Sequence, residues 1–246
     1  MGTNRLKNKI GVMKQFVVAN FKMNGSMALI QDYMINVQSS DQVTVIVCPP
    51  ACYIPLLHWS AKFSLGAQNC HHLEIGAHTG EISPRQLKDV GCEYVIVGHS
   101  ERRLQFQETN EMINQKAVRA IACGLTPIIC IGETYAERQE DRFQRVLLSQ
   151  IDQSTHGLNP YKYILAYEPI WSIGTGLAPT AEDIQTVLRL IHKRLGSDVP
   201  IIYGGSVTDK NAGVLTTIPY LRGVLVGGAS LNLQSFQHIV YTFQGG

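Results

Sequence analysis

The chain has 246 residues, of which 45% are hydrophobic and 16% are charged, and its formal net charge is +2. This length and composition allow a large buried core and suit one α/β barrel or two smaller domains, while the small, scattered charge argues against nucleic acid or an acidic membrane as a partner. No apolar run approaches membrane-spanning length and residues 1–15 lack the apolar core of a secretory signal, so we expect a cytoplasmic protein.

In chain order, short apolar stretches alternate with stretches of helical periodicity. The predicted strands are Phe16–Phe21, Val43–Cys48, Ser64–Gln68, Glu93–Val97, Pro127–Ile131, Tyr163–Tyr167, Pro200–Tyr203 and Gly223–Val226. The predicted helices are Met27–Val37, Ile54–Trp59, Pro84–Val90, Glu111–Cys123, Ala136–Ile151, Thr180–Leu195, Asp209–Leu215 and Leu233–Phe243. Ser83 and Thr180 are suitable N-caps, and Gly124 and Gly196 are suitable helix ends.

These strands and helices form eight strand-plus-helix units at a spacing of about 30 residues. The strands lack the alternation of a half-exposed sheet, as expected of parallel strands covered on both faces. The pattern favours a closed (β/α)8 barrel of the α/β class in a single domain, residues 16–246, preceded by an arm or an added extension, residues 1–15. An open doubly wound sheet is the alternative because alternation does not reveal closure, although no GxGxxG motif follows the first strand.

In such a barrel, catalytic residues follow the C-terminal ends of the strands. Glu168 directly follows the strand Tyr163–Tyr167. Pro169 fixes the direction in which the chain leaves the strand and biases Glu168 toward an extended backbone. Large apolar residues and two glycines come next, so Pro169–Ala178 has the composition of a lid that closes over a ligand. The alternative is a glutamate in water followed by an ordinary glycine-rich connection.

Polar side chains also follow the first and fourth strands. Lys22 can hold an anionic substrate and stabilise an oxyanion, with Asn20 as a hydrogen-bond donor beside it, although a solvated lysine is an equally simple explanation. His99 is followed by Ser100, Glu101 and two arginines. A lone histidine is more often structural, but at a strand end facing Glu168 it would supply an acid/base partner.

Glycine pairs follow the seventh and eighth strands, at Gly204–Gly205 and Gly227–Gly228. A single pair is usually a turn, whereas two pairs at these strands, with Ser206 nearby, expose backbone N–H groups where barrels commonly hold phosphate. A short helix starting near Ala229 would direct its positive end to the same place.

Cysteine and histidine spacing gives no support for a metal site. Cys48 and Cys52 lack a second pair at zinc spacing, and the six cysteines are interpreted as buried thiols of a cytosolic protein. His71, His72 and His78 lie in a polar loop without a helical pair, so surface or interface histidines are the simpler explanation.

Five spaced motifs resemble those of the triosephosphate isomerase family, and the similarity runs from about Phe16 to the C-terminus. The motifs are Ala19–Gly25 (ANFKMNG), Val97–Arg103 (VGHSERR), Ala166–Gly176 (AYEPIWSIGTG), Tyr203–Val207 (YGGSV) and Gly223–Ser230 (GVLVGGAS). The resemblance implies a homodimeric TIM barrel that interconverts dihydroxyacetone phosphate and glyceraldehyde 3-phosphate in glycolysis and gluconeogenesis.

The resemblance also implies roles for individual residues. Glu168 matches the base that removes a proton beside the carbonyl and returns it to the neighbouring carbon. His99 matches the electrophile, which as neutral imidazole donates to the carbonyl oxygen. Lys22 and Asn20 add electrostatic stabilisation, and Glu101 orders this cluster.

For the phosphate, the family pattern implies backbone amides of Gly174, Ser206, Gly227 and Gly228. The lid, Pro169–Ala178, would close on the dianion and exclude water, because an exposed enediolate phosphate can expel its phosphate. No cofactor or metal is expected, since proton transfer between adjacent carbons needs only a base and an acid.

The loop Asn69–Glu81 resembles the family segment that inserts into a partner subunit near the first-strand residues, so a homodimer is expected. The chain departs from the family pattern at Phe21, where tryptophan is usual, and at Leu177, where a lid hinge often has lysine. His78 stands where an aromatic residue often meets the partner, so we expect pH-dependent association.

Two other classes of protein compete with this interpretation. A Schiff-base aldolase on a phosphate-binding barrel would need a lysine in an apolar pocket where this chain has Glu168. A barrel that only binds sugar phosphates would not need Glu168, His99 and Lys22 together. Activity and the effect of Glu168→Ala discriminate among the three.

Overall fold

Eight parallel strands form a closed barrel in the order β1 to β8, which confirms the predicted fold. The computed structural model describes residues 14–58, 62–172 and 179–246. The strands are β1 (Gln15–Asn20), β2 (Val43–Cys48), β3 (Ser64–Ala67), β4 (Tyr94–Val97), β5 (Thr126–Ile131), β6 (Ile164–Tyr167), β7 (Ile201–Tyr203) and β8 (Leu221–Val226). Residues 1–13 of the predicted arm lie outside the described residues, and β1 begins one residue before the predicted boundary.

Helices connect the strands and cover the barrel. They are α1 (Met27–Asn36), α2 (Ile54–Leu57), α3 (Pro84–Asp89), α4 (Ser100–Gln105), α5 (Asn110–Ala122), α6 (Tyr135–Gln139), α7 (Phe143–Ser154), α8 (Ala181–Leu195), α9 (Ala212–Thr216) and α10 (Leu233–Phe243). None of the helices in the described part of the chain is both long and apolar enough to cross a membrane.

Successive residues of each strand enter different apolar layers, because strand side chains alternate between the two faces of a sheet. In β1, Val18 joins the cluster inside the barrel, whereas Val17 and Ala19 join the larger cluster between the strands and the helices. Both layers exclude water, which explains why the strand sequences show no polar face.

The predicted helix N-caps and helix ends are confirmed. The Ser83 side chain accepts a hydrogen bond from the Gln86 N–H at the start of α3, and Thr180 does the same with Asp183 at the start of α8. Gly124 and Gly196 follow α5 and α8 with φ of +79° at both positions, a conformation that favours glycine.

The single predicted helix Ala136–Ile151 is wrong, because the segment contains two helices. The helix α6 begins at a Thr134–Glu137 capping box, and Asp141 then adopts φ +53°, which interrupts the helical hydrogen bonds before α7. Helix α4, whose N-cap is His99, was not predicted, and α9 begins three residues later than predicted. The predicted helix at Ile54–Trp59 ends at Leu57, and Trp59 lies outside the described residues.

Barrel closure depends on a close approach between β1 and β8. Gly223 pairs with Phe16 and has φ +144°, and a Cβ at this position would clash with the Phe16 carbonyl oxygen at 1.9 Å. We expect Gly223→Ala to lower the free energy of unfolding by about 2–4 kcal/mol through backbone strain and overpacking. Urea denaturation measures this.

The matched control is Gly213→Ala in α9, where a Cβ would meet no atom of the described residues within 4 Å. This change should be neutral or slightly stabilising, because alanine favours a helix more than glycine does. Equal effects of the two changes would contradict the proposed strain at Gly223.

Candidate active site

The C-terminal ends of the strands surround a cavity of about 350 Å³. Strand-end loops converge here because all eight strands are parallel. Glu168 and Glu101 adjoin the residues of this cavity, and Gly174 lies outside the described residues. The predicted site residues that line the cavity are Asn20, Lys22, His99, Ser206, Gly227 and Gly228.

Lys22 is fixed in an unusual backbone conformation at the end of β1, with φ +52°. Its N–H donates to Asn20 Oδ1 over 3.0 Å, and its carbonyl oxygen accepts from Gln68 Nε2 over 2.9 Å. Its ammonium group lies 2.8 Å from Glu101 Oε1, so the two side chains form an ion pair. Gln68 was predicted to be the last residue of the third strand, but β3 ends at Ala67 and the Gln68 side chain donates to the Lys22 backbone, a contact that was not predicted.

His99 is buried at the N-terminus of α4, and its two ring nitrogens have different partners. The Nδ1 atom accepts from the Glu101 N–H over 3.2 Å, so it carries no proton. The proton of the neutral ring is therefore on Nε2, which lies 3.3 Å from Glu168 Oε1. The backbone thus selects the neutral tautomer that can donate into the cavity.

Glu168 is a buried carboxylate whose two oxygens differ. The Oε2 atom accepts from the Ser100 N–H over 2.9 Å, and Ser100 was not predicted as a site residue. The Oε1 atom, beside His99, makes no hydrogen bond of good geometry within the described part of the chain. Gly204 leaves room for this side chain, because a Cβ there would lie 2.8 Å from Glu168 Cγ. One oxygen is thus anchored and the other is available.

The site contains a thiol beneath this carboxylate. Burial, and then the nearby Glu168, raise the pKa of Cys130 well above its ordinary value, so the thiol stays protonated. Of the six cysteines predicted to be buried, Cys52 is exposed and Cys123 is half-buried, because both lie on the outer helical layer. All six are free, and the described residues contain no cluster suited to a metal ion.

Both glycine pairs line the cavity. A Cβ at Gly227 would lie 3.4 Å from Lys22 Cε, so the lysine side chain runs along this backbone. A short 3-10 helix at Gly228–Leu231 stands where the sequence predicted a helix start. The Tyr33 hydroxyl in α1 donates to the Ser230 carbonyl oxygen and fixes the corner from outside the barrel.

The first residues of the predicted lid are hydrogen-bonded to the segment that directly follows β5. Trp171 Nε1 donates to Glu133 Oε1 over 2.8 Å, and the Tyr167 hydroxyl donates to the same oxygen over 3.0 Å. Burial raises the pKa of Glu133, which also lies 3.4 Å from Arg138 Nη1. The rest of the predicted lid, residues 173–178 with Gly174 and Leu177, lies outside the described residues.

Glu133→Gln removes a buried charge and should change the pH dependence of stability. A carboxyl group whose pKa is higher in the folded than in the unfolded chain destabilises the fold as pH rises above about 4.5, its ordinary pKa. The variant does not titrate, so its free energy of unfolding relative to the wild type should increase from about pH 4 to about pH 7.

Urea unfolding at several pH values measures that difference, with the exposed Glu140→Gln as control. A difference between Glu133→Gln and the wild type that stays constant across the pH range would contradict the prediction.

Comparisons with known proteins agree with this geometry. A family model described as triosephosphate isomerase matches residues 15–243. The triosephosphate isomerase of Dehalococcoides mccartyi strain BAV1 is 41% identical over 243 residues, which cover 92% of this chain and 96% of the relative. That of Hahella chejuensis is 39% identical over 242 residues, with 92% and 97% covered.

A solved structure gives the same result. The crystal structure of triosephosphate isomerase from Bartonella henselae superposes with a TM-score of 0.87 at 33% identity, and the match covers 94% of this chain and 100% of that one. The barrel, the strand-end residues and these relatives lead to one conclusion: the chain belongs to the triosephosphate isomerase family.

Proposed function

We propose that this chain interconverts dihydroxyacetone phosphate and D-glyceraldehyde 3-phosphate through an enediolate, with Glu168 as the base and His99 as the electrophile. The isomerase reaction follows from membership of the family. One observation carries the assignment of roles: the neutral Nε2 donor of His99 lines the cavity and lies 3.3 Å from Glu168 Oε1.

Glu168 removes the proton from the carbon beside the carbonyl group. Its Oε1 atom has no hydrogen bond to give up within the described residues, whereas its Oε2 atom is held by the Ser100 N–H. A small movement past Gly204 brings Oε1 into the cavity, since Gly204 contacts Glu168 and also lines the cavity. The same oxygen then returns the proton to the neighbouring carbon.

His99 and Lys22 stabilise the charge that develops on the substrate oxygens. The His99 Nε2–H donates to the carbonyl oxygen and then shuttles a proton between the two enediolate oxygens. The Lys22 ammonium group supplies positive charge on the same side, with Asn20 as a further donor. Glu101 keeps Lys22 in place through their 2.8 Å ion pair.

The substrate phosphate binds the backbone amides of Gly174, Ser206, Gly227 and Gly228, and the lid Pro169–Ala178 closes over it. The positions of Ser206, Gly227 and Gly228 around one cavity support this assignment. Water is then excluded while the enediolate exists. The mechanism requires neither cofactor nor metal, because a base and an acid suffice for proton transfer between adjacent carbons.

The functional unit is a homodimer formed through the loop Asn69–Glu81. Large apolar side chains on this loop and on the neighbouring strand-end loops support it, because they are costly to leave in water. Ile75 is 87% exposed and Met23 is 97% exposed. The loop that carries Ile75 is closed at its base by a hydrogen bond from the His71 N–H to the Ile82 carbonyl oxygen.

We also keep the predicted domain boundaries and location as parts of the proposal. Residues 16–246 form one catalytic domain, to which the structure adds Gln15 as the first residue of β1, and residues 1–13 of the predicted arm lie outside the described residues. The enzyme works in the cytoplasm, since its substrate is an intermediate of glycolysis and gluconeogenesis.

Glu168→Asp withdraws the carboxylate by one methylene and should lower kcat about 10²- to 10³-fold, because proton transfer depends steeply on distance. A coupled assay on glyceraldehyde 3-phosphate without added metal measures this. Glu111→Asp in the first turn of α5 is the matched control and should retain wild-type activity. A folded wild type without activity would instead support a barrel that only binds sugar phosphates.

Dimer formation should weaken as the pH falls below about 6.5, the ordinary pKa of an imidazole. The rings of His72 and His78 lie 4.3 and 4.4 Å from His71, and burial together with these neighbours lowers the pKa of His71, with Glu81 opposing and Lys116 adding to the effect. A lowered imidazole pKa means that protonation of His71 opposes this arrangement of three tilted rings on the proposed dimer loop.

Sedimentation velocity at several pH values measures dissociation, and His78→Gln should reduce its pH dependence. A wild-type dissociation constant that does not change between about pH 8 and about pH 5 would contradict the proposed role of these three histidines.

A further inference from the structure

The C-terminal end of β5 extends beyond its neighbour β4. The last residue pair between them is Val97 with Ile129. Gly98 then adopts φ +69° and turns the chain toward His99, so β4 offers no further backbone partner. The backbone N–H and carbonyl groups of residues 130–133 that face away from β6 therefore need hydrogen-bond partners other than β4.

The opposite edge of the same segment holds the catalytic carboxylate. The Glu168 N–H donates to the Ile131 carbonyl oxygen over 2.8 Å, and the Ile170 N–H donates to the Glu133 carbonyl oxygen over 3.1 Å. Gly132 lies between these bonds, and a Cβ there would be 1.8 Å from the Glu168 carbonyl oxygen. The position of the β5 end thus determines where the backbone of Glu168 lies.

The side-chain amide of Gln150 in α7 replaces the missing strand. Its Oε1 atom accepts from the Gly132 N–H over 2.8 Å, and its Nε2 atom donates to the Gly132 carbonyl oxygen over 2.9 Å. These two bonds reproduce the donor and acceptor of a neighbouring peptide. Arg103 completes the edge by donating to the carbonyl oxygens of Gly98 and Cys130.

We propose that Gln150 is a positioning residue for the isomerisation, which acts through Gly132 on the backbone of Glu168. It touches neither the cavity nor the reacting atoms. The inference rests on the proposed function of Glu168. Without the Gln150 amide, the β5 end shifts or fluctuates, and the carboxylate loses its alignment with the substrate carbon.

The test compares Gln150→Met with Gln153→Met. Methionine keeps the length of the side chain and removes both hydrogen bonds. Gln153 is the matched control because it lies one turn further along α7, and its hydrogen bonds within the described part of the chain go to the side chains of Asn110 and Ser149. Gln150→Met should lower kcat on the order of 10- to 100-fold, with KM within about twofold of the wild type, while Gln153→Met should change neither.

A primary deuterium isotope effect separates positioning from loss of stability. With dihydroxyacetone phosphate deuterated at the carbon that loses its proton, the effect on kcat should be larger in Gln150→Met than in the wild type, because proton transfer becomes more rate-limiting. A lower melting temperature with unchanged kcat and unchanged isotope effect would overturn the proposal.

Amide hydrogen exchange tests the same link without any assay of activity. Gln150→Met should speed exchange at the Glu168 and Ile170 amides, neither of which binds Gln150, and Gln153→Met should not. Unchanged exchange at these amides would overturn the proposal. An inactive wild type would refute the proposed function alone, since the exchange result still decides whether Gln150 holds the Glu168 backbone.

Discussion

The buried carboxylate of Glu168 is the constraint on which the other features of the site depend. Burying a charge is costly unless donors compensate it, and here the Ser100 N–H donates to Glu168 Oε2 over 2.9 Å. That bond requires the chain to turn sharply after β4, which Gly98 permits, and it requires a residue without a side chain at Gly204. The Oε1 atom makes no hydrogen bond of good geometry among the described residues, and it lies 3.3 Å from His99 Nε2.

A second buried carboxylate, Glu133, joins the site to the base of the lid. One of its oxygens accepts from side chains that stand on either side of Glu168 in the sequence, Tyr167 and Trp171. Movement of Trp171 away from this position would therefore break the hydrogen bond from its indole N–H to Glu133. The strand end that carries Glu133 is also the one that fixes the Glu168 backbone, so lid and base share a support.

Much of the architecture could be predicted because it is encoded locally. The caps at Ser83 and Thr180, the glycine at Gly196 and the apolar strands depend on near neighbours in the sequence. The contacts of Gln68 and Ser100 escaped prediction because their partners lie 46 and 68 residues away. The Gln68 side chain donates to the Lys22 backbone and the Ser100 backbone N–H donates to the Glu168 side chain, and only the folded barrel brings these distant partners together.

The closed order of the strands has a consequence for synthesis of the chain. The first strand, at Gln15–Asn20, pairs with the last one, at Leu221–Val226, so its outer edge stays open until almost the whole chain has left the ribosome. Long-range parallel pairing of this kind is slow to form. During that interval the nascent barrel presents two unpaired strand edges, which are open to incorrect pairing with other chains.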